Sequence, residues 1–249
     1  MAKKQVQETK SKRQQVREER ARKARQQRLL VVGAIVLVVG LFVGLLVIPA
    51  IARNNAPVGE FTRVTPRSLQ NVDGLSIGDA NAPVKIDVFE DFKCSACQGF
   101  NESIEPLVIS ELVDTGKVFY TYRNFPFLDD GLAIKDSDNA AHAVMCAAEQ
   151  DRFWDYKLIL FTNLNFVSGE FSINRLEAFA DSLGLDTDQF SQCLAERRFK
   201  AEIDADLALG KKMGVNGTPS VFVNGVIIKP GFVPSFEEIS AAVEAQINQ

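Results

Sequence analysis

The sequence has few of the residues that build metal centres. Its 249 residues include one histidine, His142, and four cysteines, of which only Cys94 and Cys97 stand close together. A structural zinc site needs four ligands, usually supplied by two closely spaced pairs. The sequence therefore argues against a zinc protein, and we expect neither a metal nor another cofactor.

Charge is missing from one long stretch. Residues 29–51, LLVVGAIVLVVGLFVGLLVIPAI, contain no ionisable side chain. A helix of this length, at about 1.5 Å of rise per residue, spans the roughly 30 Å apolar core of a bilayer. Residues 1–28 carry 11 Lys/Arg and 3 Glu, net +8, whereas the rest of the chain carries 17 Lys/Arg and 29 acidic residues, net −12. The positive-inside rule then predicts a cytoplasmic tail at 1–28, one transmembrane helix at 29–51 and an extracytoplasmic domain.

A cleaved signal peptide is the alternative for this segment, since Ala50-Ile51-Ala52 is similar to a small-x-small cleavage site. The apolar region of a signal peptide has only about 7–15 residues, so the length favours a membrane anchor. The basic tail has no aromatic residues between its charges, and topology already explains its charge. We expect the lipid bilayer as a partner and no nucleic acid.

Two strands and a helix are predicted after a linker. Residues 52–75 mix proline, asparagine, glycine and charge without a sustained period, which is typical of a juxtamembrane linker with one short strand at most. The alternating run VKIDVF at 84–89 predicts a strand, and the residues after it predict a helix that ends near Gly116. VFYTYRNF, residues 118–125, predicts a second strand and hence a βαβ unit.

The middle of the sequence is helical in its pattern. From residue 130 to about 213 the apolar spacing predicts a block of about four helices. Strands return at SVFVNGVIIKPG, where Asn224-Gly225 predicts a type I′ hairpin turn. A capping box from Ser235 to Glu238 predicts a final helix.

The pair Cys94-Ser95-Ala96-Cys97 lies between the first predicted strand and the first predicted helix. A cysteine at the start of a helix meets unpaired N–H groups and the positive end of the helix dipole, which favour the thiolate. Cys97, one turn further, would be shielded and able to attack a mixed disulfide at Cys94. Because a purely structural bridge across so short a loop removes little chain entropy, the pattern predicts a redox-active pair.

Cys146 and Cys193 are the two remaining cysteines, and both lie on apolar helix faces. Four cysteines allow three connectivities, of which a local pair and a long-range pair is the most economical. Outside the cytoplasm such pairs persist, so we expect a structural disulfide between Cys146 and Cys193. Free buried cysteines are the alternative.

The segments FEDFKCSAC, YRNFPF, the helical block and GVNGTPSVFVNG, in this order, resemble the DsbA-like thioredoxin-fold family of extracytoplasmic disulfide oxidoreductases. The resemblance covers residues 70–249 and implies an α/β thioredoxin fold with an inserted all-helical domain, preceded by the transmembrane helix. It also implies a cis peptide between Thr218 and Pro219, packed beside the cysteine pair, with the Thr218 backbone holding an extended substrate segment. The implied boundaries are 76–126 for the first part of the thioredoxin fold, 127–213 for the helical insert and 214–249 for the second part.

The function implied by the resemblance is that of a membrane-anchored thiol–disulfide oxidoreductase, with oxidation of extracytoplasmic proteins as the favoured direction. A membrane quinone-linked partner, DsbB-like or resembling vitamin K epoxide reductase, would reoxidise it. A disulfide isomerase or reductase of the same fold is one alternative. A thioredoxin-fold chaperone or binding module with non-catalytic cysteines is the other.

The sequence departs from this family at two places. Several members have a proline-containing dipeptide between the cysteines, where this chain has Ser95-Ala96, and the dipeptide influences the reduction potential. Members also often carry a buried Glu six residues before the first cysteine, where this chain has Val88. The neighbouring acids are either proton relays for Cys97 or solvated charges at the end of a strand; they are Asp87, Glu90 and Asp91.

Overall fold

A computed structural model gives the fold of the chain as two units, Met1–Asn55 and Ala56–Gln249. The second unit is described almost completely, and the first only in part. The described residues are Arg17, Arg20, Arg25, 27–44 and 58–248.

The first unit contains the apolar helix α1 (Gln27–Gly44), whose mean hydropathy is 2.2. The helix is long and apolar enough to cross a membrane, as the composition of 29–51 predicted. Residues 45–51 of that prediction, and most of the basic tail at 1–28, lie outside the described residues. One candidate membrane span near the N-terminus is consistent with a membrane-anchored protein.

The second unit is built on a six-stranded mixed sheet. The strands are β1 (Val72–Asp73), β2 (Ser76–Ile77), β3 (Val84–Glu90), β4 (Val118–Asn124), β5 (Ser220–Val223) and β6 (Val226–Ile228). Their spatial order is β1-β2-β4-β3-β5-β6. The central strands β3 and β4 are parallel, whereas β5 is antiparallel to β3. The two strands predicted for the βαβ unit, the first from alternation and the second from its aromatic and β-branched residues, therefore form the centre of the sheet.

Strand β3 is buried on both faces where it approaches the cysteine pair. Val84, Ile86 and Val88 are at most 1% exposed and face the main core, as their alternation predicted. Phe89 points to the opposite face, where it packs in a smaller core with Phe222 at 5.6 Å between ring centroids. Burial on both faces fixes the direction in which the chain leaves the strand.

Helices connect and cover the strands. In residues 58–248 they are α2 (Ser95–Ser103), α3 (Glu105–Val108), α4 (Asp136–Ala148), α5 (Phe153–Thr162), α6 (Ile173–Ser182), α7 (Thr187–Glu196), α8 (Lys200–Lys212) and α9 (Phe236–Ile247), with a π-helical segment at Ile109–Val113. Helices α4 to α8 form the insert between β4 and β5. Helix α9 is the last element of the fold and begins at the predicted capping box.

Two predictions about helices were wrong in detail. The single helix expected after the cysteine pair is divided, because α2 ends at Ser103 and Pro106 lies at the start of α3. Proline has no N–H group and its ring collides with the carbonyl four residues earlier, so a continuous helix is broken here. The insert has five described helices rather than about four. The additional helix is α8. Arg197, with φ of 48° in the left-handed region, ends α7, and α8 was not predicted because its apolar residues show only a weak helical period.

Part of the predicted linker is hydrogen-bonded to the insert. Arg175 Nη1 donates to the carbonyl of Val58 at 2.6 Å, and Asn163 exchanges two hydrogen bonds with the backbone of Thr62. The linker region also contributes β1, where one short strand was expected, and the chain continues directly into β2. Residues 52–57 lie outside the described residues.

Gly210 of α8 provides a test of the packing between the insert and the sheet. A Cβ atom at this position would lie 2.6 Å from Phe125 Cε2 and 3.1 Å from Phe89 Cδ1. We therefore expect Gly210→Ala to lower the free energy of unfolding by about 1–3 kcal/mol, measured by urea denaturation.

Gly99 of α2 supplies the matched control. A Cβ atom there meets nothing within 4 Å, so Gly99→Ala should leave stability unchanged or raise it by up to about 1 kcal/mol. Equal stabilities of the two variants would show that α8 does not approach the sheet this closely.

Candidate active site

Cys94 and Cys97 lie at the junction between β3 and α2. Cys94 is the N-cap residue of α2, with φ of −85° and ψ of 120°, and its backbone N–H donates to Asp91 O at 3.0 Å. Cys94 is half-buried, whereas Cys97, one turn later, is fully buried. Both cysteines are free thiols in this structure.

The loop before β5 faces Cys94. The pairing of Phe89 with Ser220 brings this loop to the end of β3. The Thr218–Pro219 peptide bond is cis, and the neutral thiol of Cys94 donates to the Thr218 carbonyl at 3.1 Å. Residues more than 120 positions apart in the sequence thus meet at one sulfur atom.

The two thiols differ strongly in acidity. The pKa of Cys94 is lowered from 9.0 to about 6: the Cys97 thiol makes the largest contribution, partial burial opposes it, and the Thr218 side chain and the N–H groups of Cys97 and Ala96 lower the pKa further. Burial raises the pKa of Cys97 well above its ordinary value, and its hydrogen bond to Cys94 and the negative charge of Glu90 raise it further. At neutral pH, Cys94 is therefore a thiolate and Cys97 a neutral thiol. The partner thiol stabilises the anion more than the helix start does.

The side chain of Thr218 is a second donor that the sequence did not indicate. Its Oγ1 is buried and has no hydrogen-bond partner among the described residues. Ionisation of Cys94 supplies an acceptor, which is why this hydroxyl lowers the pKa of Cys94. Sequence reasoning had assigned to Thr218 only a role for its backbone.

A buried ionic cluster lies next to Cys97. Asn101 Nδ2 donates to the Cys97 carbonyl at 2.9 Å and to Glu90 Oε1 at 2.8 Å. Lys157 Nζ lies 3.2 Å from Glu90 Oε2 and also donates to Asn101 and Glu105. The Glu90, Lys157 and Glu105 side chains are at most 2% exposed. Burial raises the pKa of Glu90, although the charge of Lys157 opposes the rise.

This cluster decides between the two interpretations of the neighbouring acids. Glu90 and Asp91 are each 1% exposed, so they are not solvated charges. Asp87 is partly exposed and forms an ion pair with Arg123 at 2.8 Å. The sequence reasoning missed Lys157, although an ionisable residue inside the apolar run FWDYKLILF was a usable signal.

Two cavities adjoin these groups. One, of about 250 Å³, lies between Ala96, which separates the two cysteines in the sequence, and the loop before β5; Thr218, Pro219 and Phe232 are among its lining residues. The other has a volume of about 50 Å³ and is lined by buried members of the ionic cluster together with Arg67 and Glu102. The first is large enough for a peptide segment, and the second for water.

The other two cysteines lie in the insert, away from these groups in sequence. Cys146 of α4 and Cys193 of α7 form a disulfide with a Cα–Cα distance of 5.8 Å. In the chain-entropy model, a loop of 47 residues corresponds to about 4 kcal/mol of stabilisation. The bond holds two helices of the insert together.

Known proteins share this sequence pattern and fold. The family model described as thioredoxin matches residues 70–245. A probable disulfide bond formation protein D of Bacillus cereus is 31% identical over 179 residues, which cover 70% of this chain and 79% of that protein. The crystal structure of oxidised BdbD from Bacillus subtilis has a TM-score of 0.64 and 27% identity, covering 71% of this chain and 94% of that chain. The structure of Chlamydia trachomatis DsbA shares the fold, with a TM-score of 0.60 and 24% identity over 77% of this chain and 98% of that chain.

The fold and these similarities define a protein thiol–disulfide oxidoreductase of the thioredoxin class. Such an enzyme acts on substrate proteins and depends on a redox partner that restores its starting state. Within this class, the chain belongs to the DsbA-like thioredoxin-fold family. The predicted fold class, family and enzyme class are confirmed.

Removal of the Thr218 hydroxyl tests its contribution to the acidity of Cys94. We expect Thr218→Val to raise the pKa of Cys94 above about 6, because the thiolate loses a donor. The pH dependence of Cys94 alkylation by iodoacetamide, followed by mass spectrometry, reports this pKa. Thr218→Ser keeps the hydroxyl and should keep the wild-type midpoint; equal midpoints for the Val and Ser variants would rule out the contribution.

Removal of Lys157 tests the buried cluster. Lys157→Met leaves Glu90 and Glu105 buried without their cation, so we expect it to lower the free energy of unfolding by about 3–5 kcal/mol near pH 9. The loss should shrink toward pH 6, because burial raises the pKa of Glu90 to about 8, removal of Lys157 raises it further, and the carboxyl is therefore neutral in both proteins at the lower pH. Urea denaturation at both pH values, with exposed Lys212→Met as the control, checks this expectation. A pH-independent loss would contradict the electrostatic explanation.

Proposed function

We propose that this protein is a membrane-anchored oxidase that introduces disulfides into extracytoplasmic proteins through Cys94 and Cys97. The observation that carries the proposal is the difference between the two sulfurs, a half-exposed Cys94 with its pKa lowered to about 6 and a buried Cys97 with a raised pKa. A stabilised Cys94 thiolate stabilises the reduced enzyme, which makes the corresponding disulfide a stronger oxidant. In the proposed topology, residues 1–28 are cytoplasmic and the thioredoxin-fold unit lies outside.

The reaction proceeds by two thiol–disulfide exchanges. A substrate thiolate attacks Cys94 Sγ in the Cys94–Cys97 disulfide, the bond between the two enzyme sulfurs breaks, and Cys97 leaves as a thiolate that takes up a proton. A second substrate thiolate then attacks the substrate sulfur of the mixed disulfide, and Cys94 leaves as the stabilised thiolate. The substrate loses two electrons and gains a disulfide, and the enzyme becomes a dithiol.

The proton on Cys97 is exchanged through the buried cluster in this proposal. Glu90 contributes to the raised pKa of Cys97, and Asn101 joins the Glu90 carboxylate to the Cys97 backbone. Because burial also raises the pKa of Glu90, its carboxyl is suited to giving and receiving protons. The cavity of about 50 Å³ beside Glu105 and Lys157 has room for the water that completes a route to solvent.

The substrate segment lies along the loop before β5. The Thr218 carbonyl is within hydrogen-bond distance of Cys94 Sγ, so a segment paired with the Thr218 backbone holds its own cysteine beside that sulfur. The concavity of about 250 Å³ lined by Pro219 and Phe232 gives room for the segment.

The reduced enzyme needs an electron acceptor, and we propose a quinone-linked membrane protein, either DsbB-like or similar to vitamin K epoxide reductase. Its disulfide would accept the two electrons from Cys94 and Cys97. The candidate membrane helix α1 supports this choice, since an anchor would keep the enzyme beside a membrane-embedded partner.

The reduction potential distinguishes an oxidase from a reductase. We expect equilibration with glutathione buffers to give a potential well above the roughly −270 mV of thioredoxin. Below pH 6 reduction takes up two protons, and above pH 6 it takes up one, because Cys94 then stays ionised. As the pH rises, the reduction potential should therefore fall by about 59 mV per pH unit below pH 6 and by about 30 mV per pH unit above it. A potential near that of thioredoxin, or a constant slope through pH 6, would favour the isomerase or reductase alternative.

A trapping variant tests the assigned roles of the two cysteines. Cys97→Ser should accumulate mixed disulfides on Cys94 in cells, because Cys94 still attacks disulfides of substrates and of the reoxidising partner, and no Cys97 thiol is present to displace the bound protein. Mass spectrometry of the complexes would identify the substrates and the reoxidising partner. Cys94→Ser is the control and should trap none, whereas equal trapping by both variants, or by neither, would support a binding module with non-catalytic cysteines.

A further inference from the structure

The linker that precedes β1 lies along helix α5 and is held there by specific contacts. Asn163, which follows α5, exchanges two hydrogen bonds with the Thr62 backbone at 2.7 and 2.8 Å. In the first turn of the helix, Asp155 Oδ1 accepts from the Arg67 backbone N–H at 3.2 Å. The linker therefore runs along α5 in the direction opposite to that of the helix. We call residues 58–69 the docked linker.

Apolar side chains complete the attachment of the docked linker. Phe61, Val64 and Leu69 are partly buried against the main core. Phe61 also meets the ring of Phe179 edge-on, with 5.0 Å between the ring centroids. Ordering a segment of this length costs conformational entropy that a flexible tether does not lose. These contacts therefore indicate a role for the segment beyond connecting two parts of the chain.

The docked linker forms one side of the cavity of about 50 Å³ beside the ionic cluster. Arg67 and Leu69 line this cavity from the linker, and Glu102 lines it from α2. Arg67 and Glu102 are exposed. The buried lining residues that belong to the cluster are Asn101, Glu105 and Lys157. The cavity thus leads from the protein surface to the cluster, and the docked linker is its outer wall.

A buried donor indicates that the cavity holds water. Trp154 lines the cavity and is 8% exposed, and its Nε1 has no hydrogen-bond partner among the described residues. A buried N–H group without a partner is costly, and a cavity of this size with polar walls has room for a water molecule that accepts from it. The same water is close to the cluster, because Lys157 Nζ lies 5.4 Å from the centre of the Trp154 ring.

We propose that the docked linker controls the access of water to the proton route of Cys97, with Leu69 as the positioning residue that closes the cavity. This inference rests on the proton exchange through the buried cluster in the proposed function, and it adds the segment that closes the route. When a partner disulfide reoxidises the enzyme, the Cys97 proton passes to the Glu90 carboxylate and leaves through the cavity water. Leu69 limits that water to a few molecules, which preserves the burial on which the acidity difference between the cysteines depends.

The fluorescence of Trp154, the single tryptophan of the chain, reports whether the cavity is open. Leu69→Ala removes the apolar part of the wall, so we expect quenching of Trp154 by acrylamide to increase in the full-length protein in detergent. Val64→Ala is the matched control, because Val64 is also a partly buried aliphatic residue of the docked linker but does not line the cavity. It should leave the quenching at the wild-type level.

Protonation of Glu90 provides a second readout. The titratable groups around the Glu90 carboxyl are Cys97, Glu105, Tyr120, Tyr122 and Lys157. Because burial raises the pKa of Glu90 to about 8, Trp154 fluorescence should change near pH 8, and Glu90→Gln should abolish this change. Leu69→Ala admits water and should lower the midpoint by about 0.5–1 pH unit, whereas Val64→Ala should not move it.

Release of glutathione from Cys94 connects the cavity with the cysteine chemistry. The Cys94 thiolate of the reduced enzyme attacks oxidised glutathione and displaces one glutathione thiolate; Cys97 then loses its proton and attacks Cys94 Sγ, which displaces the second. The pH profile of this second step, followed by acid quenching and mass spectrometry, should move to lower pH in Leu69→Ala together with the fluorescence midpoint. Leu69→Ile keeps the volume of the side chain and should keep the wild-type profile.

Three results would overturn the proposal. Wild-type quenching in Leu69→Ala, or equal quenching in Leu69→Ala and Val64→Ala, would show that Leu69 does not close the cavity. Increased quenching with an unchanged pH profile of glutathione release would show that the cavity is not part of the proton route. These readouts do not depend on the direction of catalysis: a reduction potential near that of thioredoxin would remove the oxidase function and leave the role of the docked linker to be decided by them.

Discussion

The interaction between the Cys97 thiol and the Cys94 sulfur is the one on which the chemistry of this protein depends. It stabilises the Cys94 thiolate only while Cys97 keeps its proton, and Cys97 keeps its proton chiefly because it is buried. The acidity of one cysteine is therefore a consequence of the burial of the other. A sheet strand buried on both faces and a cis Thr218–Pro219 peptide provide the surroundings in which this difference persists.

The helical insert takes part in the site as well as covering the sheet. Lys157 of α5 is the cation of the cluster beside Cys97, and Glu170, in the loop after α5, pairs with Lys93 beside Cys94. Burying a lysine with two carboxylates is costly unless each group finds partners, and here Asn101 and Tyr120 supply the additional hydrogen bonds. The cysteine pair is thus held from both sides, by the sheet through β3 and by the insert through two lysines.

Local patterns were sufficient for much of the fold. Alternation predicted β3, aromatic and β-branched residues predicted β4, Asn224-Gly225 predicted the hairpin, and the capping box predicted the start of α9, because each signal acts within a few residues. The division of α2 from α3 at Pro106 and the separate helix α8 were missed. In α8 the contacts that stabilise the helix are tertiary, such as the approach of Gly210 to Phe125, and they leave only a weak apolar period in the sequence.

The sequence by itself determined the spacing of Cys94 and Cys97, their place between a strand and a helix, and the separation of a basic tail and an apolar segment from an acidic domain. Only the tertiary structure decided which groups surround the two sulfurs. Glu90 was indistinguishable from a solvated charge, and neither Lys157 nor the hydroxyl of Thr218 was a candidate. The physical reason is that acidity depends on burial and on the polar groups within a few ångströms, and several of these groups, such as Lys157 and Thr218, come from residues about 60 and more than 120 positions away in the chain.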